Sequence, residues 1–198
     1  MRKKIHTILL AAGFSRRFEE NKLLYPLDGK ALYLYQAERL TALLEEKITD
    51  SFVVVTQYDE IFWEMRERKA EVIKNDNSIQ GISSSVKLGL LKARQFAEKE
   101  KDNYYIFFVA DQPYLRMETI KNFLKAFIHS GKSIGCVQTG DALGNPVIFH
   151  ERYVPELESL EGDKGGKCVL KKHIDEAFFY SVEDERELRD IDTKGELS

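Results

Sequence analysis

Short apolar runs alternate along this chain with longer stretches in which apolar residues recur at helical spacing, the pattern of strands joined through crossover helices. Ile8 to Ala12 predicts a first strand. Ala31 to Glu46 carries Leu32, Tyr35, Leu40, Leu43 and Leu44 at roughly helical spacing, and Ser51 to Thr56 follows as a buried strand. Tyr58 to Lys69 predicts a second helix, whose Tyr58, Phe62 and Trp63 form either a base-stacking platform or, as the pattern favours, a face packed on the sheet. Glu71 to Lys74 is a short strand, and Ile82 to Glu98 a helix with Val86, Leu90, Leu91 and Ala93 facing inward. Tyr104 to Ala110, YYIFFVA, is the most apolar strand and is expected at the centre. Met117 to His129 then predicts a helix, Ser133 to Gln138 and Pro146 to His150 two strands, Val154 to Leu160 and Gly166 to His173 two helices, and Phe178 to Val182 a last strand. The expected fold is α/β, a three-layer α/β/α sandwich around a mostly parallel sheet, with ligands bound beyond the carboxyl ends of its strands.

Composition leaves that picture standing and narrows the chemistry. With 198 residues, 43% hydrophobic and 32% charged, the chain is expected to form one domain over residues 1–198, and no repeat or low-complexity linker divides it. A formal net charge of -3 argues against a surface devoted to nucleic acid or anionic lipid, while leaving room for a local basic pocket. Cys136 and Cys168 have no CxxC spacing and suggest neither a zinc site nor a disulfide framework, which fits a reducing cytoplasm. Arg2, Lys3 and Lys4 before Ile8 to Ala12 superficially look like a signal peptide, but His6 and Thr7 interrupt the stretch and Arg16 and Arg17 follow it. No later run approaches the roughly 20 apolar residues that span a bilayer.

The first strand runs into LAAGFSRRFEENKLLYPLDGKAL, Leu10 to Leu32. The small residues Ala11, Ala12 and Gly13 let backbone N–H groups approach a ligand closely, and Arg17 and Lys22 are spaced to meet a triphosphate curled into the loop. A surface loop with solvated charges accounts for the composition equally well. Neither GxGxxG nor GxxxxGK[ST] is present, and Gly162 to Lys167, GDKGGK, misses the P-loop spacing by one residue. In NDNSIQGISSSVKLGL, Asn75 to Leu90, Gly81 with Ser83, Ser84 and Ser85 opens a helix, either as an anion site or as ordinary capping. In FFVADQPYL, Asp111 leaves a buried strand just before Gln112 and Pro113, which aims it at the cleft. A carboxylate there suits a hard cation such as Mg²⁺ bridging phosphates.

The first segment resembles the LAAGxSxRMGxxK signature, with its GKPL-like turn, of nucleotidyltransferases having a GT-A-like, Rossmann-type fold. The matches are Leu10 through Gly13, Ser15, Arg17, Lys22, Gly29 and Lys30; Phe18 replaces a Met and Glu19 a Gly. Asn75 to Leu90 and the Asp111–Gln112–Pro113 run resemble the branch of molybdenum cofactor cytidylyltransferases, part of the MobA-like NTP transferases. GNPVIF, Gly144 to Phe149, and GDKGGKCVL, Gly162 to Leu170, resemble that branch's acceptor side, and DIDTKGEL, Asp190 to Leu197, its terminus.

The resemblance implies a nucleotidyltransferase using CTP, Mg²⁺ and a phosphorylated, pterin-type acceptor, releasing pyrophosphate, with a molybdenum hydroxylase as a downstream partner. By it, Arg17, Lys22 and Asp111 are catalytic. Leu10, Ala11, Ala12, Gly13, Asn75, Gly81, Ser83 and Ser84 bind the nucleotide, and Gln112, Asn145, Asp163 and Lys167 the acceptor, with Lys164 beside them. Asp111 and Asp192 hold the metal, with Asp190 second to Asp192. A different phosphorylated acceptor, such as a sugar phosphate, or a carrier of molybdenum cofactor without turnover, are the alternatives.

Overall fold

The computed structural model describes residues 3–13, 21–68, 70–99 and 101–193. In chain order these form β1 (Lys4–Ala11), the two-residue strands β2 (Pro26–Leu27) and β3 (Lys30–Ala31), α1 (Leu32–Glu45), β4 (Ser51–Thr56), α2 (Asp59–Glu67), β5 (Glu71–Lys74), α3 (Ile82–Ala93), β6 (Asn103–Val109), α4 (Met117–Ser130), β7 (Ile134–Thr139), β8 (Ala142–His150), α5 (Val154–Glu158), α6 (Gly166–Lys172) and β9 (Ala177–Ser181). Seven strands make one sheet in the order β5-β4-β1-β6-β8-β7-β9, with β6 at its centre. The β1, β4, β5, β6, β7 and β9 pairings not involving β8 are parallel. β8 alone runs antiparallel to both neighbours, because only a tight turn through Gly140, at φ +52°, separates it from β7. Two residues leave no room for a crossover helix.

The period-2 alternation of the strands sorts the core into two layers. Ile5, Leu9 and Ala11 of β1, Phe52 and Val54 of β4, and Ile106 and Phe108 of β6 face α1, α2 and α4. Their neighbours Ile8, Val53, Val55, Tyr105 and Phe107 face α3, α5 and α6. The predicted three layers are therefore present.

Three details differ from the sequence reading. On α2 it is Ile61 and Met65 that pack on the sheet, while Trp63 is 59% exposed, so the aromatic cluster is not the buried face. On α3, Leu91 is 58% exposed, since a residue next to the inward-facing Leu90 is turned about 100° away. The helix expected to reach Glu98 ends at Ala93 and tightens into a 3₁₀ turn over Arg94–Phe96. No helix among the described residues is long and apolar enough to cross a membrane.

Candidate active site

The carboxyl ends of β1 and β6 and the start of α3 enclose a cavity of about 390 Å³. Leu10, Ala12 and Gly13 line it from the β1 exit, Ala110 and Asp111 from the β6 exit, and Ser78, Gly81 and Ser85 from the approach to α3. These three segments, far apart in sequence, meet there because parallel strands all deliver their exits to one edge.

The β1 exit is held from the side by β4's exit. Gln57 Nε2 donates to the Ala12 carbonyl at 2.8 Å and the Tyr58 hydroxyl to the Gly13 carbonyl at 2.8 Å. Gln57 Oε1 in turn accepts from the Ser78 hydroxyl at 2.9 Å, which ties the approach to α3 to the same loop. Asn75 is fully buried. Its Nδ2 donates to Ser84 and Ser85 Oγ, both at 2.9 Å, and its Oδ1 accepts from Asn77 N–H at 3.0 Å. The amide is thus spent on shaping the turn, and Asn75, expected to touch nucleotide, acts from behind the wall. Ser84 Oγ donates to the Gly81 carbonyl at 2.8 Å. Ser83 is buried and uses its N–H on the Gly162 carbonyl at 3.1 Å. Ala11 faces the α1 core. Of the three consecutive serines at the start of α3, it is Ser85 that lines the cavity.

Gly81 sits at φ +93°, and a Cβ there would lie 2.4 Å from the Gly162 backbone carbon and 2.6 Å from Asp163 Oδ1. Only glycine admits that approach. It brings Asp163 into the wall of this first cavity.

At the floor, Lys22 Nζ donates to Asp111 Oδ2 at 2.8 Å, to the Ile191 carbonyl at 2.9 Å and to Asp192 Oδ1 at 3.0 Å. Burial opposes the ammonium's charge, but attraction and hydrogen bonds from Asp111 and Asp192 leave its pKa raised. Two carboxylates and a carbonyl around one cation are an all-oxygen donor set, so these residues also fit a hard divalent ion, with Asp111 and Asp192 as its ligands. Among the described residues no three His, Cys, Asp or Glu gather to hold a metal by themselves. An ion held by these two carboxylates would need further oxygen ligands from outside the chain's His, Cys, Asp and Glu side chains.

The 188–192 segment is laced onto the β6 exit. Ile191 N–H donates to the Asp111 carbonyl at 3.0 Å, and Gln112 Nε2 donates to the Leu188 carbonyl at 3.0 Å and to Asp190 Oδ1 at 2.8 Å. Asp190 has its inner oxygen in this network, and desolvation followed by the nearby Asp111 pushes its carboxyl up, against the Gln112 bond. From the other side Gln36 Nε2 and Arg39 Nη2, both on α1, donate to the Gln112 and Pro113 carbonyls at 2.7 and 2.8 Å. The Asp111 loop is thereby fixed on both flanks.

A second cleft, about 600 Å³, lies beyond Gln112 and Asp190 and carries the cations Lys167, Arg186 and Arg189. The expected acceptor residues Gln112 and Lys167 meet here, with Gly144 of β8. Asn145 is on β8 beside that lining, and Asp163 is in the first cavity. Arg186 and Arg189 went unnoticed in the sequence because no motif contains them. Arg17 and Ser15 lie outside the described residues.

A family model described as the MobA-like NTP transferase domain matches residues 7–177. The probable molybdenum cofactor guanylyltransferase of Pyrococcus horikoshii is 32% identical over 85% of this chain and 79% of that protein. The purine catabolism protein PucB of Bacillus subtilis is 27% identical over 96% and 92%. Among solved structures, Rv0371c from Mycobacterium tuberculosis superposes with a TM-score of 0.78 at 18% identity, covering 98% of this chain and 94% of that one. Its manganese complex gives 0.68 at 17% identity, over 90% and 88%.

Proposed function

Because the chain belongs to the MobA-like NTP transferase family and is a nucleotidyltransferase, we propose that it transfers CMP from CTP to the terminal phosphate of a molybdopterin-type cofactor, releasing pyrophosphate. The observation that carries this reading is the floor of the first cavity, where Lys22, Asp111 and Asp192 converge beside a cleft lined by Lys167. A nucleotide cavity and an acceptor cleft bearing cations lie to either side of these carboxylates.

The acceptor's terminal phosphate oxygen attacks the α-phosphorus, the bond to the β-phosphate oxygen breaks, and pyrophosphate leaves with the bonding electrons. No group on the protein need be nucleotidylated on the way. The chain's work is to align two polyanions and neutralise the charge that builds on the leaving group. Leu10, Ala12, Gly13, Gly81 and Ser85 enclose base and ribose. Ser85 Oγ already accepts from Asn75, so its own proton is available to a carbonyl or ring nitrogen of the base. Lys22, with Arg17, meets the β and γ oxygens. Gln112, Asn145 and Lys167 orient the acceptor, while Asp163, expected with them, lines the first cavity. Asp111 and Asp192 would hold a divalent ion, Mg²⁺ in this reading, which supplies charge neutralisation between the phosphates; a manganese complex of the structural neighbour Rv0371c is consistent with that metal class.

The Ala12 side chain lines the cavity. Its methyl narrows the base end and supports cytosine over guanine. GTP is the second reading, favoured by the name of the Pyrococcus relative. Pyrophosphate release is measured with each NTP, Mg²⁺ and the molybdopterin cofactor. CTP is expected to support release, and Asp111→Asn to lower it at least about a hundredfold, the order of loss when one electrostatic contact to a transition state is removed. Release from GTP alone overturns the base assignment, and release only with a sugar phosphate overturns the acceptor. Cofactor binding with no release from any NTP makes the protein a carrier.

A further inference from the structure

The geometry points to Lys22 as the resident cation of the nucleotide-free site, so that a divalent ion settles on Asp111 and Asp192 only when a triphosphate draws Lys22 away. An ammonium has three N–H donors, and here they find three acceptors, Asp111 Oδ2, Asp192 Oδ1 and the Ile191 carbonyl, at 2.8, 3.0 and 2.9 Å. These are the same oxygens that make the site suitable for a hard cation. The Lys22 side chain is only 11% exposed, so its charge is poorly screened and its attraction to the carboxylates is strong. A divalent ion arriving alone meets a pair of carboxylates already neutralised by half and a like charge at contact distance.

The backbone of Lys22 stays where it is. Asn21 Oδ1 caps the turn by accepting from Leu23 N–H at 3.0 Å, Leu23 is 3% exposed, and Tyr25 N–H closes the turn on the Lys22 carbonyl at 3.1 Å. The exchange is therefore a swing of the flexible lysine stem, whose Nζ trades two carboxylates and a carbonyl for phosphate oxygens. A triphosphate provides both halves of the exchange, since it offers the ammonium new acceptors and brings the metal with it. Metal and nucleotide then bind with positive coupling, and each weakens the hold of Lys22 that opposes the other.

This rests on Asp111 and Asp192 as metal ligands, and it is independent of which base or acceptor the enzyme uses. Mn²⁺ binding to the whole chain without nucleotide is measured by electron paramagnetic resonance for wild type, Lys22→Met, Lys22→Gln and Lys22→Arg. The two neutral variants are expected to bind Mn²⁺ roughly tenfold tighter or more, as removal of a competing charge at contact distance requires. Lys22→Arg, which retains a cation, is expected to stay weak, and Asp111→Asn added to Lys22→Met to erase the gain. Equal or weaker binding by folded Lys22→Met and Lys22→Gln overturns the proposal. Wild type gives a readout that no variant's folding can spoil: with ¹⁵N-labelled lysine, the Lys22 ammonium signal is expected to hold its position with Mg²⁺ alone. It should shift when Mg²⁺ is added with an α,β-methylene analogue of CTP or GTP. A shift with Mg²⁺ alone overturns the proposal. Tighter Mn²⁺ binding by the neutral variants, with no response to either analogue, would instead count against the nucleotidyl-transfer site.

Discussion

His6 shows how a single residue's surroundings set a property of the whole fold. It is fully buried on β1, its Nδ1 is 2.9 Å from Ser51 Oγ and its Nε2 3.3 Å from Asn103 Oδ1, and its ring stacks on Tyr105 with centroids 5.4 Å apart. Burial lowers its pKa below the ordinary value of 6.5, outweighing the Asn103 contact, so the folded chain keeps the ring neutral where an unfolded chain would protonate it. The unfolded state then binds more protons as pH falls below about 6.5, and stability is full above that value and drains as pH drops towards the folded pKa. Urea unfolding of wild type and His6→Gln between about pH 7.5 and 5.5 should show the wild-type midpoint falling more steeply than the variant's. Parallel slopes would mean that His6 is not the group responsible. Cys136 obeys the same physics from the other side: burial pushes its thiol up to about 11 and keeps it protonated, which suits a packing role on β7.

At the level of elements, α3 is the hinge between fold and site. Its Gly89 lies where a Cβ would stand 2.5 Å from Ile8 Cγ2 and 3.2 Å from Val55 Cγ2, so helix and sheet touch almost backbone to side chain. Gly89→Ala gains about 1 kcal/mol of helix propensity and loses about 1–3 kcal/mol to overpacking. The clash is with β-branched side chains in the core, so the loss should win and the melting temperature should fall. Gly81→Ala is expected to be worse for function, because the left-handed φ and the collision with Gly162 backbone would part α3 from the 162–163 turn. A raised KM for NTP beside a lowered melting temperature is the expected result, and an unchanged KM would show that this contact does not shape the cavity. The 185–188 turn is a comparable strap at the other side. Glu187, 1% exposed, accepts from Arg116 N–H and Nε at 2.9 and 2.7 Å. Burial alone would raise its pKa, but the bonds from Arg116 and Thr119 hold it below the usual range. Glu187→Ala removes the bonds to Arg116 and frees the segment that carries Asp192; limited proteolysis should cut near it sooner than in wild type.

On the scale of the molecule, a chain of net charge -3 must hold a polyanionic nucleoside triphosphate and, in the proposed reaction, a second polyanion beside it. Only local fields can do so, and the fold supplies them by placing Lys22, Lys167, Arg186 and Arg189 around one sheet edge. Partly exposed charges of this kind are screened over about 8–10 Å at ordinary salt. The ratio kcat/KM for the anionic acceptor is therefore expected to fall as salt rises from about 0.05 to 0.3 M, and Arg186→Gln to flatten that dependence. A salt-independent rate would show that the second cleft does not steer substrate.

The order of strands and helices, the central place of Tyr104 to Ala110 and the aim of Asp111 at the cleft were legible in the sequence, because each is carried by consecutive residues whose apolar period or strand-ending Pro113 is local. The antiparallel β8, the outward Trp63 and the burial of Asn75 were not, since each depends on which neighbour the chain brings alongside. The same holds most strongly at the floor of the site. Lys22 meets Asp111 across 89 positions and Asp192 across 170, and no spacing rule spans such intervals. The sequence by itself determined the layered fold and the chemistry available at the strand exits. Only the tertiary structure decided that lysine and metal-type carboxylates would share one set of oxygens, because that pairing exists only after a parallel sheet has delivered separate strand exits, and the segment that follows the last strand, to one edge.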